Sequence, residues 1–209
     1  MQVRVNAATS VDGKLASRER EQLAISGPTD FARVDELRAA SDAIMVGVGT
    51  VLADDPSLTC DDGENPVRVI ADSRARTPTD ARVLEGDAET VLLVSDAADP
   101  DRLSALAAIG ATVIEAGTTQ VDLAEGLSTL DRRGVDSLLV EGGGEIVFSL
   151  FAAGLVDELS VYVGSMVIGG RNAPTLADGE GFTEDYPTLD LEAVERIDDG
   201  VLLEYDVRN

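Results

Sequence analysis

Residues 138–145 read Leu138-Leu139-Val140-Glu141-Gly142-Gly143-Gly144-Glu145, an apolar run that enters three glycines and then a segment with Ile146, Val147, Leu150 and Phe151 on one side. This is the pattern of a buried strand, a tight turn and a helix, the unit from which α/β folds are made. Without side chains the backbone can approach a pyrophosphate closely, and the unpaired N–H groups at a helix start present partial positive charge to it. The strict dinucleotide fingerprint is only partly met, because Gly142 and Gly144 would need a third glycine where Val147 stands. Taken alone, the turn reads equally well as a phosphate cradle or as a merely tight strand-to-helix connection.

Outward from this turn, strands and helices keep trading places. Val3 and Val5 alternate with polar neighbours, predicting a first strand that ends near Ala8, with Asp12-Gly13 as a turn beyond it. A helix is expected from Thr29, with Phe31, Val34, Leu37 and Arg38 at helical spacing. Short apolar strands follow at 43–48, 66–71, 90–94, 112–116, 137–140 and 158–163. Between them lie a helix opening at Asp99-Pro100, one from 121 to about 132, and one running from the glycine turn through Leu150. Runs this short suit buried parallel strands, so a layered α/β sheet is expected. The end differs: 191–197, a turn at Asp199-Gly200 and 201–207 read as an antiparallel hairpin closing one sheet edge. No repeat or linker interrupts the 209 residues, so a single domain over 1–209 is expected.

Composition excludes several functions. No apolar run reaches the roughly 20 residues of a membrane helix and MQVRVNAATS lacks a signal-peptide pattern, so a cytoplasmic protein is expected. Forty acidic against sixteen basic residues give a formal charge of −24, spread along the chain, and Lys14 is the only lysine. At about 1 M salt the Debye length is roughly 3 Å, which makes such a surface tolerable, so the composition predicts a halophilic protein. The same field argues against nucleic acid or acidic membranes as partners. With no histidine and one cysteine, serine triads, zinc hydrolases and internal disulfides are out, and no metal is expected. Cys60, in a polar stretch, reads as a surface bystander.

Other positions carry weaker signals. Gly47 and Gly49 interrupt what reads as an apolar strand, which marks a close backbone approach or packing against a helix. Thr50 and Asp54 stand one helical turn apart, as ligand contacts or as cap and dipole partner. Ala71-Asp72-Ser73-Arg74 ends a strand, and its Ser73 and Arg74 suit the extra phosphate of NADPH or a solvated loop.

Together NAATSVDGKLA, LRAASDAIMVGVGTVLADDPSLT, NPVRVIADSRARTP, LLVEGGGE and LFAAGLVDELSVYV resemble the riboflavin-biosynthesis pyrimidine reductases, in order and spacing and nearly end to end. The chain is similar to the stand-alone archaeal type, which reduces 2,5-diamino-6-ribosylamino-4(3H)-pyrimidinone 5′-phosphate to its ribitylamino product. The bacterial bifunctional enzymes add a zinc deaminase upstream. The resemblance implies a dihydrofolate-reductase-like three-layer fold with a mostly parallel central sheet, a homodimer, and NADPH as cofactor with NADH possible.

It implies a cofactor site built from Ala8, Thr50, Asp54, Ala71, Asp72, Ser73, Arg74, Ile114, Gly142, Gly143, Gly144 and Glu145. For the phosphorylated pyrimidine it points to Arg38, Leu58 and Glu141, since arginine suits a phosphate and a carboxylate suits ring amino groups. Two positions depart from the bacterial pattern: Asn6 replaces a lysine, and Asp61 replaces an arginine that reaches the substrate phosphate. The implied reaction passes hydride to ribose C1′ of an open-chain imine. Candidates for handling the accompanying proton are Glu141, Asp12 and a water held by Asn6, each with a bland reading as helix-start carboxylate, turn former or hydrogen-bond satisfier. Positioning alone contributes up to about 7–11 kcal/mol, so no strong acid or base is required. A pterin reductase and a non-catalytic nucleotide-binding protein are the competing expectations.

Overall fold

The computed structural model describes residues 1–21, 23–60 and 64–208. Among them nine strands and five α-helices alternate: β1 (Gln2–Ser10), α1 (Pro28–Ala39), β2 (Ala43–Gly47), α2 (Val48–Asp54), β3 (Val67–Ala71), β4 (Thr90–Val94), α3 (Pro100–Ala108), β5 (Thr112–Glu115), α4 (Leu123–Arg132), β6 (Ser137–Gly142), α5 (Gly144–Ala152), β7 (Glu158–Gly164), β8 (Thr188–Ile197) and β9 (Gly200–Arg208). The strands are hydrogen-bonded in the order β5-β4-β3-β2-β6-β1-β7-β9-β8. β1–β7, β2–β3, β3–β4 and β4–β5 are parallel, whereas β7–β9 and β8–β9 are antiparallel. The mostly parallel sheet with an antiparallel C-terminal hairpin is therefore as expected.

The chain divides into two compact units: Met1 with Arg38–Leu138, and Gln2–Leu37 with Leu139–Asn209. In the first unit β2 and β4 are buried along their whole length, which is why AIMVG and TVLLV read as unbroken apolar runs rather than alternating ones. Asp99 caps α3 by accepting from the N–H groups of Asp101 and Arg102, and Pro100 occupies the first helical position. Asp122 caps α4 through Glu125 N–H, so this helix starts two residues later than the expected 121. Arg68 lies buried in β3, donating to the carbonyls of Glu85 at 2.7 Å and Ala88 at 2.5 Å. Burial lowers the pKa of its guanidinium, and the clamp holds a short 3-10 turn at Arg82–Leu84 that periodicity missed.

In the second unit β1 pairs with β7 so that Asn6 lies opposite Ser160, and β9 and β8 continue the layer. Tyr162 sits in a cluster with Ile25, Ile197 and Leu202 and hydrogen-bonds Asp199 Oδ1 at 3.1 Å. Burial, then the Asp199 carboxylate, push its phenol up to about 12. In the same hairpin turn the Asp198 carboxylate accepts from Thr29 N–H, from Thr29 Oγ1 at 2.7 Å and from Asp30 N–H at 3.1 Å. The N-terminus of α1 is thus capped by a residue remote in sequence.

Three local expectations need correction. β1 runs to Ser10 instead of stopping near Ala8, because pairing with β7 continues to Gly164. The helically spaced residues of α1 do not share one environment: Phe31 is 58% exposed, Val34, Leu37 and Arg38 are half-buried, and the residue this helix buries fully is Asp30. Gly47 ends β2 and Gly49 lies within α2, so neither interrupts a strand.

Candidate active site

In the first unit the predicted residues gather at carboxyl ends of parallel strands, where α/β sheets bind ligands. β2 turns directly into α2, whose N-terminal cap is Gly47 without a side-chain hydrogen bond. Thr50 and Asp54 lie within this helix, four residues apart on one face, so neither is its N-cap. Desolvation by surrounding chain raises the Asp54 carboxyl, although the side chain keeps an exposed surface. Beyond α2, Asp55 and Leu58 adopt left-handed backbone conformations at φ 42° and 52°. For a leucine that is buried to 2% exposure this conformation is uncommon and strained, a feature that clusters at ligand clamps. Arg38, at the end of α1, donates to the carbonyl of Thr59 at 3.1 Å and so ties the helix to the segment carrying Leu58. Asp61 lies outside the described residues.

The turn after β3 is held from several sides. Asp72 is fully buried, and its Oδ2 accepts from Thr77 N–H at 2.7 Å and Thr77 Oγ1 at 2.8 Å. Its carboxylate is therefore turned into the protein and shapes the loop. Ser73 accepts from Ser95 Oγ through its carbonyl and from Val121 N–H through its hydroxyl. Arg102 of α3 donates to the carbonyls of Ala75 and Thr77. Against this rigid frame Arg74 and Arg76 are exposed and make no hydrogen bond or ion pair among the described residues. In a chain of −24 formal charge, the two guanidinium groups on one held turn are a local concentration of positive charge. Arg76 and Arg102 carry no sequence signal that singles them out. Ile114 is a buried core residue opposite Leu93.

In the second unit β6 continues through Glu141 and Gly142, two residues beyond the expected end at Val140. Gly143, at φ 91°, occupies the N-cap position of α5 with no side-chain cap. Only glycine adopts this conformation cheaply, and among the described residues no side chain hydrogen-bonds the first N–H groups of the helix. Gly144 is glycine for a different reason from the one expected. A Cβ there would collide with the carbonyl oxygen of Thr175 and meet Asp178 N at 3.0 Å, and Asp178 N–H bonds the Gly144 carbonyl at 2.9 Å. The bare backbone at Gly144 thus admits the chain's own 175–178 segment, and what a ligand can reach is the half-buried 141–143 stretch with exposed Glu145.

On β1, Ala8 is half-buried and Asn6 is nearly enclosed, its Oδ1 accepting from Arg33 Nη2 at 2.8 Å and Ser160 Oγ at 3.1 Å. Asp12 is committed to a loop: it accepts from Ser10 Oγ at 2.7 Å, Ile168 N–H at 3.0 Å and Gly169 N–H at 2.8 Å. Hydrogen bonds, first from Ser10 and then from Ile168, bring its pKa down to about 2. It has no proton to give near neutral pH. Because this value lies below the ordinary carboxyl value of about 3.9, its contribution is complete above about pH 4 and is lost as pH falls through about 2. Limited proteolysis of the 166–170 loop should therefore be slow at neutral pH and accelerate towards pH 2, and Asp12→Asn should cleave faster already at neutral pH.

Each unit by itself has one feature that suits an anionic cofactor. In the second, a glycine with positive φ opens a helix whose N-cap makes no side-chain hydrogen bond. In the first, the turn after β3 presents the exposed Arg74 and Arg76. Comparison with known families settles the kinship: the RibD C-terminal domain family matches residues 1–203.

The chain belongs to the RibD C-terminal domain family. It is 45% identical to the 2,5-diamino-6-ribosylamino-4(3H)-pyrimidinone 5′-phosphate reductase of Methanothermobacter thermautotrophicus, over 98% of this chain and 97% of that one. Its fold matches Acinetobacter baumannii RibD with a TM-score of 0.82 at 27% identity, covering all of this chain and 58% of that one. A dihydrofolate reductase from Enterococcus faecalis complexed with NADP(H) aligns with a TM-score of 0.57 at 15% identity, covering 100% of this chain and 97% of that one. The expected dihydrofolate-reductase-like fold is thereby found.

Proposed function

We propose that this member of the RibD C-terminal domain family reduces 2,5-diamino-6-ribosylamino-4(3H)-pyrimidinone 5′-phosphate to its ribitylamino product with NADPH. That the chain is an oxidoreductase follows from its kinship, and the observation supporting this substrate is the near full-length identity to the archaeal reductase. The family match runs through both compact units, which supports treating 1–209 as one reductase domain.

When bound, the nicotinamide supplies a hydride to C1′ of the opened ribose. The chain's own part is to hold and orient. Gly142, Gly143 and the N–H groups opening α5 suit the pyrophosphate, with Ala8, Thr50, Asp54, Ala71, Ile114 and the backbone of Glu145 completing the cofactor contacts. Ser73, Arg74 and Arg76 suit a 2′-phosphate. Arg38 and Leu58 serve the substrate, and Glu141 accepts from the pyrimidine amino groups. Proton handling falls to Glu141 or to water held by Asn6, since Asp12 is spent on its loop.

Loss of Arg74 and Arg76 tests the cofactor preference. Charge-assisted hydrogen bonds contribute about 1.5–3 kcal/mol each, so Arg74→Ser/Arg76→Ser should raise KM for NADPH at least about tenfold while leaving NADH unchanged. Equal losses with both cofactors would contradict the 2′-phosphate role. The substrate is tested by mass: the product should be heavier than the ribosylamino compound by two hydrogens, and dihydrofolate should be left unreduced.

No helix among the described residues is long and apolar enough to cross a membrane, in keeping with a cytoplasmic enzyme. A homodimer is also expected, supported by Leu191 and Val194, exposed at 54% and 61% on edge strand β8. Sedimentation in molar salt should give twice the 21.8 kDa chain mass, and a monomer would refute it.

A further inference from the structure

Asn6 is held by a closed polar ring that the reaction as proposed does not use. Arg33 of α1 donates through Nη2 to Asn6 Oδ1 at 2.8 Å and through Nη1 to Ser160 Oγ at 3.1 Å. Ser160 Oγ in turn donates a hydrogen bond to Asn6 Oδ1 at 3.1 Å. The same guanidinium is anchored by Asp30, whose Oδ1 accepts from Arg33 Nε at 2.9 Å and Nη2 at 2.8 Å. Asp30 is 2% exposed and its backbone N–H is bonded by Asp198, so the anchor is itself fixed.

Arginine carries donors only, so the carboxamide must turn its oxygen towards Arg33. Both lone pairs of that oxygen are then filled. The other end, Nδ2, makes no hydrogen bond among the described residues, while the side chain keeps 7% exposure. A carboxamide normally flips between two nearly equivalent orientations, and here one is enforced. A buried ion pair is often replaceable by apolar residues without loss of stability, so stability alone does not account for placing Asp30 and Arg33 under Asn6.

We propose that Arg33 is a positioning residue, anchored by Asp30, that locks the Asn6 carboxamide with Nδ2 as a fixed donor towards an acceptor oxygen of the substrate or of the water beside it. This rests on the reductase reading and extends it. Asn6 then orients an acceptor and takes no proton itself, and Arg33 acts only through Asn6.

The test is a double-mutant cycle read in kcat, with NADPH affinity measured alongside. Asn6→Ala should lower kcat about 10²-fold, as removal of a single preorganised donor does. Asp30→Leu/Arg33→Met replaces the buried pair by apolar side chains and should lower kcat nearly as much, with NADPH affinity unchanged. Combining the two should cost no more than Asn6→Ala alone, because Arg33 has then nothing to position. Should the double apolar variant fail to fold, Arg33→Lys serves: it keeps a charge for Asp30 but lacks the planar fork that spans three partners, and should give the same non-additivity. Losses that multiply, or an Asp30→Leu/Arg33→Met enzyme with undiminished kcat, overturn the proposal while leaving the reductase reading intact. No turnover of the pyrimidine phosphate by the unsubstituted enzyme overturns both.

Discussion

Alanine at Gly144 is expected to lower stability and cofactor binding together. Its Cβ would collide with the Thr175 carbonyl oxygen and touch Asp178 N, both backbone atoms that cannot swing aside as a flexible side chain can. Either the 175–178 segment lifts or the first turn of α5 shifts. Overpacking of this kind costs about 1–3 kcal/mol, which for a chain of this size lowers the melting temperature by roughly 2–12 °C. Because the displaced turn carries the N–H groups assigned to the pyrophosphate, NADPH affinity should fall at least about tenfold in the fraction that remains folded. Gly49→Ala provides the contrast. It lies in α2 with nothing within 4 Å of the added methyl group, and should be neutral or gain up to about 1 kcal/mol. Equal behaviour of the two variants in melting and titration experiments would contradict the packing account of Gly144.

Salt should have the second large effect. Forty carboxylates face sixteen cations, and a good part of the cations is already committed, Arg68 to carbonyls, Arg102 to a turn and Arg33 to Asp30. The remaining surface repels itself. Screening contracts from about 10 Å at 0.1 M to about 3 Å at 1 M salt, so repulsion that opposes the compact state is largely removed at molar concentration. The melting temperature should rise by about 10 °C or more between these conditions, with turnover rising in parallel. A flat response in a thermal scan would mean that the charge is locally compensated, and the halophilic reading would fall.

Local sequence conveyed the order of the elements because each strand carries its own burial pattern. β2 and β4, enclosed along their length, appear as continuous apolar runs, and α3 announces its start with Asp99, whereas the cap of α4 at Asp122 goes unread and its start is expected at 121. Partners remote in the chain were beyond such reading. Thr29 looks like the natural start of α1, yet its N–H is bonded by Asp198 across the unit. Asp12-Gly13 looks like a turn, and its carboxylate also clasps Ile168 and Gly169. Phe31, Val34 and Leu37 have helical spacing, but Phe31 is exposed and the helix most deeply buries the charge of Asp30, because Arg33 is there to receive it. For the site, the glycine turn was visible as a motif while the separate reasons for Gly143 and Gly144 were not. One is a backbone angle and the other a neighbour 31 positions away at Thr175. Arg76 and Arg102 belong to the same class: their roles follow from exposure and from contacts that no spacing rule encodes.

The reaction itself can be followed atom by atom. NADPH carrying deuterium at the transferable nicotinamide position, incubated in molar salt with the ribosylaminopyrimidine phosphate, should leave one deuterium on C1′ of the product's ribityl chain. A product without deuterium at that carbon, or cofactor that is bound but never oxidised, would contradict the reductase assignment.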